Sequence, residues 1–280
     1  MAETAQFALR YAAGSDVGRR REQNEDSAYA SSRLLAVADG MGGHGHGEVA
    51  SSVAIEEMIK LDDTLPERGP EGIDLVAAVE AAVKKANVRL REMTGRDPSL
   101  KGMGTTLTAM LWDGTRFALA HVGDSRAYLL RGNVLYQITQ DHTLVQSLVD
   151  EGRLTPEQAA VHARRSMLLR ALESSGNVEP DLSLREAKAG DRYLLCSDGL
   201  TCVVGPEALY EAMVSISDLK ELVQRLIDMA NEAGGPDNIT CVVADVVRVD
   251  EMSDPDDTTE IRINVGASSE LSHHLDWTAE

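Results

Sequence analysis

Four aspartates that stand at the ends of short apolar runs constrain this sequence more than any other feature. They are Asp39, Asp124, Asp198 and Asp237. Short apolar runs bounded by glycine and aspartate are typical of buried strands. Carboxylates at the ends of buried strands are costly unless a cation lies among them, and hard divalent metals prefer oxygen ligands. The pattern therefore favours a metal centre at the ends of several strands.

The overall composition is that of a globular protein. The chain has 280 residues, of which 43% are apolar, and this is enough for one large domain with a real core. No apolar stretch approaches the roughly 20 residues that span a bilayer. The first residues carry Glu3 and no basic cluster, so we expect no secretory signal. Three cysteines, an odd number, fit a reducing compartment, and the expected location is the cytoplasm.

The charge of the chain is strongly negative and unevenly distributed. A net charge of −19 argues against nucleic acid or an anionic membrane as a partner. From Asp250 onward there are nine acidic side chains, and Arg262 is the only arginine or lysine. We expect this tail to be disordered, with one strand-like patch at 261–265, and an interaction tail is the alternative.

Apolar periodicity predicts a mixed α and β architecture. Helices are expected at 48–60, 73–93 and 218–232, and Thr155-Pro156 is typical of a further helix start. Strands are expected at 27–38, 105–112, 116–122, 126–130, 192–197 and 239–248. A turn at Asp113-Gly114 between two of these strands implies antiparallel pairing. This favours an α+β fold in which helices cover packed antiparallel sheets, rather than a Rossmann-type sheet.

The chain is expected to form one folded domain with two extensions. Residues 1–6 form an N-terminal extension, 7–248 form the domain, and 249–280 form the acidic tail. Between 141 and 182 the pattern weakens, which predicts a mainly helical, polar and arginine-rich flap.

Six motifs in a fixed order resemble the protein phosphatase 2C (PP2C, or PPM) family of metal-dependent serine/threonine phosphatases. The motifs are Arg19-Arg20-Arg21-Glu22-Gln23-Asn24-Glu25-Asp26, Asp39-Gly40-Met41-Gly42-Gly43, Met103-Gly104-Thr105-Thr106, Gly123-Asp124-Ser125-Arg126, Ser197-Asp198-Gly199 and Pro236-Asp237-Asn238. The resemblance covers about residues 7 to 248. It implies a four-layer α/β/β/α sandwich, and the glycine-rich second motif is similar to that of the bacterial branch.

The resemblance also implies a two-metal hydrolase. Phosphoserine and phosphothreonine would be hydrolysed by direct attack of a water that bridges two Mn²⁺ or Mg²⁺ ions, without a phosphoenzyme. Asp39 matches the bridging ligand, and Gly40 offers a carbonyl to the second metal. Asp198 and Asp237 match ligands of the first metal.

Further residues match outer parts of the same site. Glu25 matches a residue that binds metal-held water, and Asp26 lies beside it in the same shell. Asp124, together with Asp198, matches the ligands of a third, weaker metal, and Ser166 in the flap is a further candidate ligand.

Arginine and histidine positions bear on substrate binding and proton transfer. Arg21 matches the arginine that binds the substrate phosphate, for which a bidentate fork is suited. Arg126 is expected to pair with a nearby carboxylate. Met41 stands where eukaryotic members carry a histidine proposed as the general acid, so that role is unassigned here. A catalytic role is left open for His44, His46 and His142. His121 lies in an apolar run and is expected to be a core residue.

The resemblance implies phosphorylated partners. These are serine/threonine kinases of the Hanks type and their substrate proteins, and we expect a monomer. The alternative is a pseudophosphatase that binds phosphoproteins without turnover. Complete retention of Asp39, Asp198, Asp237, Arg21 and Glu25 argues against it. A cysteine phosphatase is excluded because no cysteine is followed six positions later by arginine.

Overall fold

The computed structural model describes residues 7–42, 46–66, 72–173, 176–251 and 261–271. His44 lies outside these ranges. The strands are β1 (Phe7–Asp16), β2 (Asp26–Ala30), β3 (Leu34–Met41), β4 (Gly104–Thr105), β5 (Leu107–Trp112), β6 (Arg116–Val122), β7 (Arg126–Arg131), β8 (Val134–Gln137), β9 (Leu172–Glu173), β10 (Asp181–Glu186), β11 (Arg192–Cys196), β12 (Ile239–Arg248) and β13 (Ile263–Gly266). The α-helices are α1 (Gly47–Thr64), α2 (Leu75–Arg96), α3 (Leu144–Asp150), α4 (Pro156–Ala160), α5 (Asp198–Thr201), α6 (Pro206–Ser215), α7 (Leu219–Glu232) and α8 (Ala267–Leu271).

Two antiparallel sheets form the centre of the molecule. The first sheet has the order β1-β12-β11-β7-β8. The second sheet has the order β10-β6-β5-β3-β2-β13, with β4 beside β3 and β9 beside β4. Every pairing among the described strands is antiparallel. The expected α+β fold of two antiparallel sheets flanked by helices is therefore confirmed.

Three apolar clusters hold the four layers together. The cluster between the sheets includes Leu35, Phe117 and Tyr193, all buried. A second cluster joins the second sheet to α1 and α2, and a third joins the first sheet to α6 and α7. Because the sheets share one core, their ends are fixed relative to each other, and loops at one end can build a common site.

The first strand was not among the strands predicted from the sequence. Over ten residues, β1 pairs with β12 from Phe7 opposite Arg248 to Asp16 opposite Ile239. Leu9 points into the core between the sheets, and Ala12 faces the opposite side, against the α6 and α7 cluster. Small alanines and glycine in this segment weaken the alternating pattern that would have revealed it.

The flap is less helical than predicted. Within 141–182, helix is confined to α3 and α4. Gly152, with φ of 69°, lies in the left-handed region just after α3 and separates the two helices. Thr155 begins α4 with a capping box to Gln158, as its sequence predicts.

The predicted disorder of the tail does not hold for residues 261–271. Residues 263–266 form β13, which pairs with β2, and α8 follows directly. Composition favoured disorder because the tail as a whole is acidic. The alternating pair Ile263 and Val265 nevertheless packs against the core between the sheets, where β2 offers an open edge. The rest of the tail, 252–260 and 272–280, lies outside the described residues.

No helix within the described ranges is both long enough and apolar enough to cross a bilayer.

Asp62 at the end of α1 is a buried anchor. It accepts hydrogen bonds from Tyr29 Oη at 2.7 Å and from Arg33 Nε at 3.0 Å, and its side chain is fully buried. Replacing Asp62 by alanine removes the acceptor of the buried Tyr29 hydroxyl and of Arg33 Nε, and it leaves the charge of a largely buried guanidinium without its carboxylate. We expect Asp62→Ala to lower the free energy of unfolding by about 3 kcal/mol, measured by denaturant titration.

A surface carboxylate provides the control for this measurement. Glu80 on α2 pairs with the exposed Lys84, one helical turn away. Glu80→Ala should change the free energy of unfolding by only about 0.5 kcal/mol. Equal losses in the two variants would contradict the anchoring role of Asp62.

Candidate metal centre

The predicted acidic residues meet at one end of the two sheets. Asp39 on β3 lies directly opposite Asp26 on β2. Asp124 lies between β6 and β7. Asp198 begins α5 just after β11, and Asp237 precedes β12. Both sheets therefore deliver carboxylates to the same end of the sandwich.

Burial, together with the charges of neighbouring carboxylates, raises the pKa of several of these side chains. Burial, and then the charges of Asp26, Asp198 and Asp124, raise the pKa of Asp39 well above its usual value. Burial is also the main reason that the pKa of Asp26 and the pKa of Asp124 are each raised to about 7. The pKa of Asp198 is raised to about 6, by burial and by the charge of Asp237. Cations and hydrogen-bond donors are the groups that stabilise the charged form of such a cluster.

The donor set fits hard divalent ions. Its donors are carboxylate and carbonyl oxygens, the ligand type that Mg²⁺ and Mn²⁺ prefer. Within the described part of the chain, no three carboxylate, imidazole or thiol groups already form a closed ligand set. The residues therefore fit an ion by their charge and chemistry rather than by a preformed cage.

Arg21 is brought to the acidic cluster. Its Nη2 donates to Asp237 Oδ2 at 2.7 Å, and its side chain is 47% exposed. Burial opposes the charge of the guanidinium, but Asp237, Glu25 and Asp39 together raise the pKa of Arg21. The structure thus places Arg21 at the acidic cluster that includes Asp39, where the sequence predicts it.

The backbone around Asp39 is rigidly held. Asp39 N–H donates to Thr106 Oγ1 at 3.0 Å, and Asp39 O accepts from Thr106 N–H at 2.9 Å and from Thr105 Oγ1 at 2.9 Å. The Thr106 hydroxyl lies 2.7 Å from that of Ser125, beside Asp124. The threonine pair thus ties two of the acidic positions together.

Gly40 can only be glycine in this fold. A Cβ at this position would lie 2.1 Å from the Gly47 carbonyl oxygen and 2.4 Å from the Glu25 carbonyl oxygen. The Gly40 N–H donates to that same Glu25 carbonyl at 3.2 Å. The absence of a side chain lets three segments of backbone converge beside Asp39.

Asn238 is an organising residue that the sequence analysis did not single out. Its side-chain Oδ1 accepts from Glu25 N–H at 2.9 Å, and its Nδ2 donates to the carbonyls of Val17 and Gln23, each at 2.9 Å. Its own N–H donates to Asp237 Oδ1 at 2.9 Å. The loop that carries Arg21 and Glu25 is therefore fastened to Asp237. The only sequence signal for this role is the position of Asn238 directly after Asp237.

Asp26 is tied to the opposite sheet. Its Oδ2 accepts from the Ser197 hydroxyl at 2.7 Å, and Ser197 Oγ accepts from Thr240 N–H at 3.1 Å. Ser197 directly precedes Asp198. This contact supports the placement of Asp26 beside the site.

Glu48 is a second residue that the sequence analysis overlooked. It lies in the first turn of α1, and its charge is among the causes that raise the pKa of Glu25, after burial. Its Oε2 is buried and has no hydrogen-bond partner among the described residues. The Glu48 carboxylate therefore adds negative charge to the site near Glu25.

A groove adjoins the acidic cluster on the side of the flap. Its volume is about 400 Å³, and its lining includes Asp124, Asp198 and Ser166. The structure therefore places the predicted flap residue in the same groove as both aspartates. Arg126 forms a bidentate pair with Asp141, with Nε–Oδ1 at 2.9 Å and Nη2–Oδ2 at 2.6 Å, which confirms its expected pairing with a carboxylate.

Two of the described histidines, His121 and His142, are engaged in structural contacts. Buried His121 has its Nδ1 3.0 Å from Thr108 Oγ1 and its Nε2 3.0 Å from the Gln140 carbonyl, which confirms it as a partnered core residue. Burial lowers the pKa of His121 to about 4. His142 accepts from Gly123 N–H and contacts Asp181 through its other ring nitrogen. His46 immediately precedes α1.

The chain matches the family model for protein phosphatase 2C over residues 14–244. It is 55% identical over 242 residues to the serine/threonine protein phosphatase PstP of Mycobacterium tuberculosis, covering 86% of this chain and 46% of that protein. The chain thus spans about half the length of this relative. It is 37% identical to the serine/threonine phosphatase stp of Listeria monocytogenes, covering 82% of this chain and 93% of the relative.

A solved structure agrees with the fold. The catalytic domain of PstP, crystallised in complex with two manganese ions, superposes with a TM-score of 0.79 at 54% identity. The match covers 86% of this chain and 99% of that one.

The raised pKa values predict how pH affects the metal-free protein. The folded-state pKa of Asp26 and of Asp124 is about 7, while an aspartate in an unfolded chain titrates near about 4. The folded state therefore binds more protons in this window, and its stability falls as the pH rises through it. With a chelator present, we expect a higher Tm at about pH 6 than at about pH 7.5, and a smaller difference in Asp39→Asn.

Scanning calorimetry of the two proteins at both pH values measures this effect. Other titrating groups are common to both proteins, so the comparison isolates the acidic cluster. Identical pH shifts in wild type and Asp39→Asn would show that these carboxylates do not interact as the structure indicates.

Proposed function

Because the chain belongs to the protein phosphatase 2C family, we propose that it hydrolyses phosphoserine and phosphothreonine in proteins with the help of Mn²⁺ or Mg²⁺. The observation that carries the proposal is the convergence of Asp39, Asp198 and Asp237 at the shared end of both sheets, with Arg21 among them. Relatives that match most of this chain are named as serine/threonine phosphatases.

We assign the ions to specific oxygens. Asp39 would bridge two ions, the Gly40 carbonyl would bind the second, and Asp198 with Asp237 would bind the first. Glu25 would act through water. When bound, two such ions neutralise a phosphate dianion and lower the pKa of water toward neutrality.

Asp124 and Asp26 complete the assignment. Asp124, together with Asp198, would hold a third and weaker ion beside the flap groove. Asp26 would support the bound ions through its hydrogen bond to Ser197, the residue before Asp198. Outer partners of this kind orient the ligands that touch a metal.

The chain itself orients the substrate. Arg21 is tethered to Asp237 through Nη2, and its guanidinium has further N–H donors that can engage phosphate oxygens. The rigid threonine contacts hold Asp39 in place during turnover. The two core histidines are occupied by structural contacts, so we assign no side chain as the acid for the leaving alkoxide, which can take its proton from solvent.

The family assignment also suggests the substrates, the location and the oligomeric state of the enzyme. The substrates would be phosphorylated serine/threonine kinases and their target proteins in a bacterial cytoplasm. The enzyme would act as a monomer whose phosphatase domain comprises residues 7–248.

Removal of the bridging carboxylate tests the proposal. Wild type should release phosphate from a phosphothreonine peptide with Mn²⁺ or Mg²⁺ and not with chelator. Asp39→Ala should lose on the order of 10³-fold or more of kcat, because it loses the group that bridges both ions. Asp228→Asn, which changes an exposed carboxylate on α7, is the control and should retain full activity.

Two outcomes would contradict this reading. Near-full activity of Asp39→Ala would exclude the two-metal assignment. Absence of turnover by folded wild type with both metals would favour the pseudophosphatase alternative, in which phosphoproteins are bound but not hydrolysed.

The negative charge of the chain predicts a substrate preference. With a net charge of −19, the protein attracts basic peptides and repels acidic ones. We expect higher kcat/KM for a phosphopeptide with flanking lysines than for one with flanking glutamates, with the difference shrinking as salt is added. Equal values at low salt would contradict this prediction.

A further inference from the structure

Residues 261–271, here called the clasp, lie beyond the family match, which ends at residue 244. The clasp comprises β13 and α8. Its strand extends the second sheet by pairing with β2 in the register Ile263 opposite Ala30 through Gly266 opposite Ser27. The last of these pairs lies next to Asp26, so the clasp reaches the acidic end of the sheet.

Gly266 makes the closest approach of the clasp to the site. A Cβ on this residue would lie 2.2 Å from the Asp26 carbonyl oxygen, and its φ of 79° lies in the left-handed region. Only glycine satisfies both conditions. The backbone of the clasp is therefore pressed directly against that of Asp26.

A chain of hydrogen bonds continues from the clasp to Glu25. Ser268 N–H donates to Ser27 Oγ at 3.0 Å, Ser27 Oγ lies 2.9 Å from Ser51 Oγ, and Ser51 Oγ donates to the Glu25 carbonyl at 2.6 Å. The Glu25 carbonyl is a closer acceptor for the Ser51 hydroxyl than the Glu48 carbonyl, which lies 3.3 Å away. With the Ser51 proton directed to Glu25, the Ser27 hydroxyl donates to Ser51. Every hydroxyl in the chain is then both donor and acceptor, with one consistent direction.

The same Glu25 carbonyl accepts from Gly40 N–H. One carbonyl oxygen therefore joins the clasp, through Ser27 and Ser51, to the residue beside Asp39. Serines 27, 51 and 268 are all buried, so water does not compete for these bonds.

Contacts at both ends hold the clasp in place. The Tyr11 hydroxyl donates to the Ile261 carbonyl at 2.5 Å, and Arg262 forms an ion pair with Asp63 at the end of α1. Ala267 and Ser268 at the start of α8 are buried. The clasp is thus anchored to β1, α1 and β2, rather than resting loosely on the surface.

We propose that the clasp positions the backbone at Glu25 and Asp26, where β2 begins, for metal binding, with Gly266 and Ser27 as positioning residues. This inference rests on the proposed function, because it assumes that Glu25 and Asp26 support bound ions. The reason is geometric. The backbone at Glu25 and Asp26 is held on one side by Asn238 and Gly40. On the other side it contacts the clasp directly at Gly266 and through the hydroxyls of Ser27 and Ser51.

Two variants of the full chain test the proposal independently. Gly266→Val adds a side chain where the Asp26 carbonyl lies and should displace the clasp. Ser27→Ala keeps the strand pairing and breaks the hydrogen-bond chain. We expect each to raise the Kd for Mn²⁺, measured by isothermal titration calorimetry, by about tenfold, as is typical when outer partners of metal ligands are removed.

Two controls separate positioning from general stability. Glu270→Gln alters an exposed residue of the clasp and should leave the Kd unchanged. Met213→Ala, in the buried cluster behind the first sheet, should lower the Tm without changing the Kd. Unchanged Mn²⁺ binding in Ser27→Ala and Gly266→Val would overturn the proposal. An equal rise of the Kd in Met213→Ala would also overturn it.

Failure of this inference is distinguishable from failure of the proposed function. Mn²⁺ binding is measured without substrate, so the clasp is tested even if no phosphopeptide is hydrolysed. Conversely, wild-type turnover together with unchanged Kd values in both variants would support the phosphatase assignment and exclude a role of the clasp in metal binding. If Gly266→Val does not fold, Ser27→Ala alone decides the outcome.

Discussion

Repulsion among carboxylates at one end of the sandwich is the constraint on which the rest of the site depends. Five aspartates from two sheets share a space that raises the pKa of most of them. Such a cluster would spread apart unless its backbone were held firmly. The structure holds it with uncharged donors, namely the threonines beside Asp39, Ser197 beside Asp198 and Asn238 beside Asp237. Neutral hydrogen bonds thus fix the positions of charged groups without neutralising them.

The site belongs to the junction between the sheets rather than to either sheet. Asp26 and Asp39 come from the second sheet, while Asp198 and Asp237 flank strands of the first. Hydrogen bonds cross the junction from Ser197 to Asp26 and from Glu25 to Asn238. The apolar core between the sheets sets their spacing, and with it the spacing of the acidic residues that the two sheets bring to the junction.

The sequence predicted the chemistry of the site better than its scaffold. Aspartates at the ends of apolar runs were informative because strand ends are where a sheet sandwich exposes polar groups. Asn238 escaped notice because its role depends on the loop that carries Glu25, more than two hundred residues away in the chain. Strand β1 was obscured by small residues, and β13 by the acidic composition around it. In each case the deciding partner, β12 or β2, is distant in sequence, and local patterns carry no information about it.

The pairing of β13 with β2 also affects how readily copies of this protein can associate through the edge of the second sheet. All five residues of β2 are buried, and on one side β2 pairs with β3. Without β13, the other side of β2 would be a bare edge whose backbone donors and acceptors could recruit a strand from a neighbouring chain. Pairing with β13 satisfies that side of β2 within the chain and moves the free edge of the sheet to β13. Because β13 has only four residues, the edge that remains is a short one, and short edge strands are poor templates for a neighbouring chain.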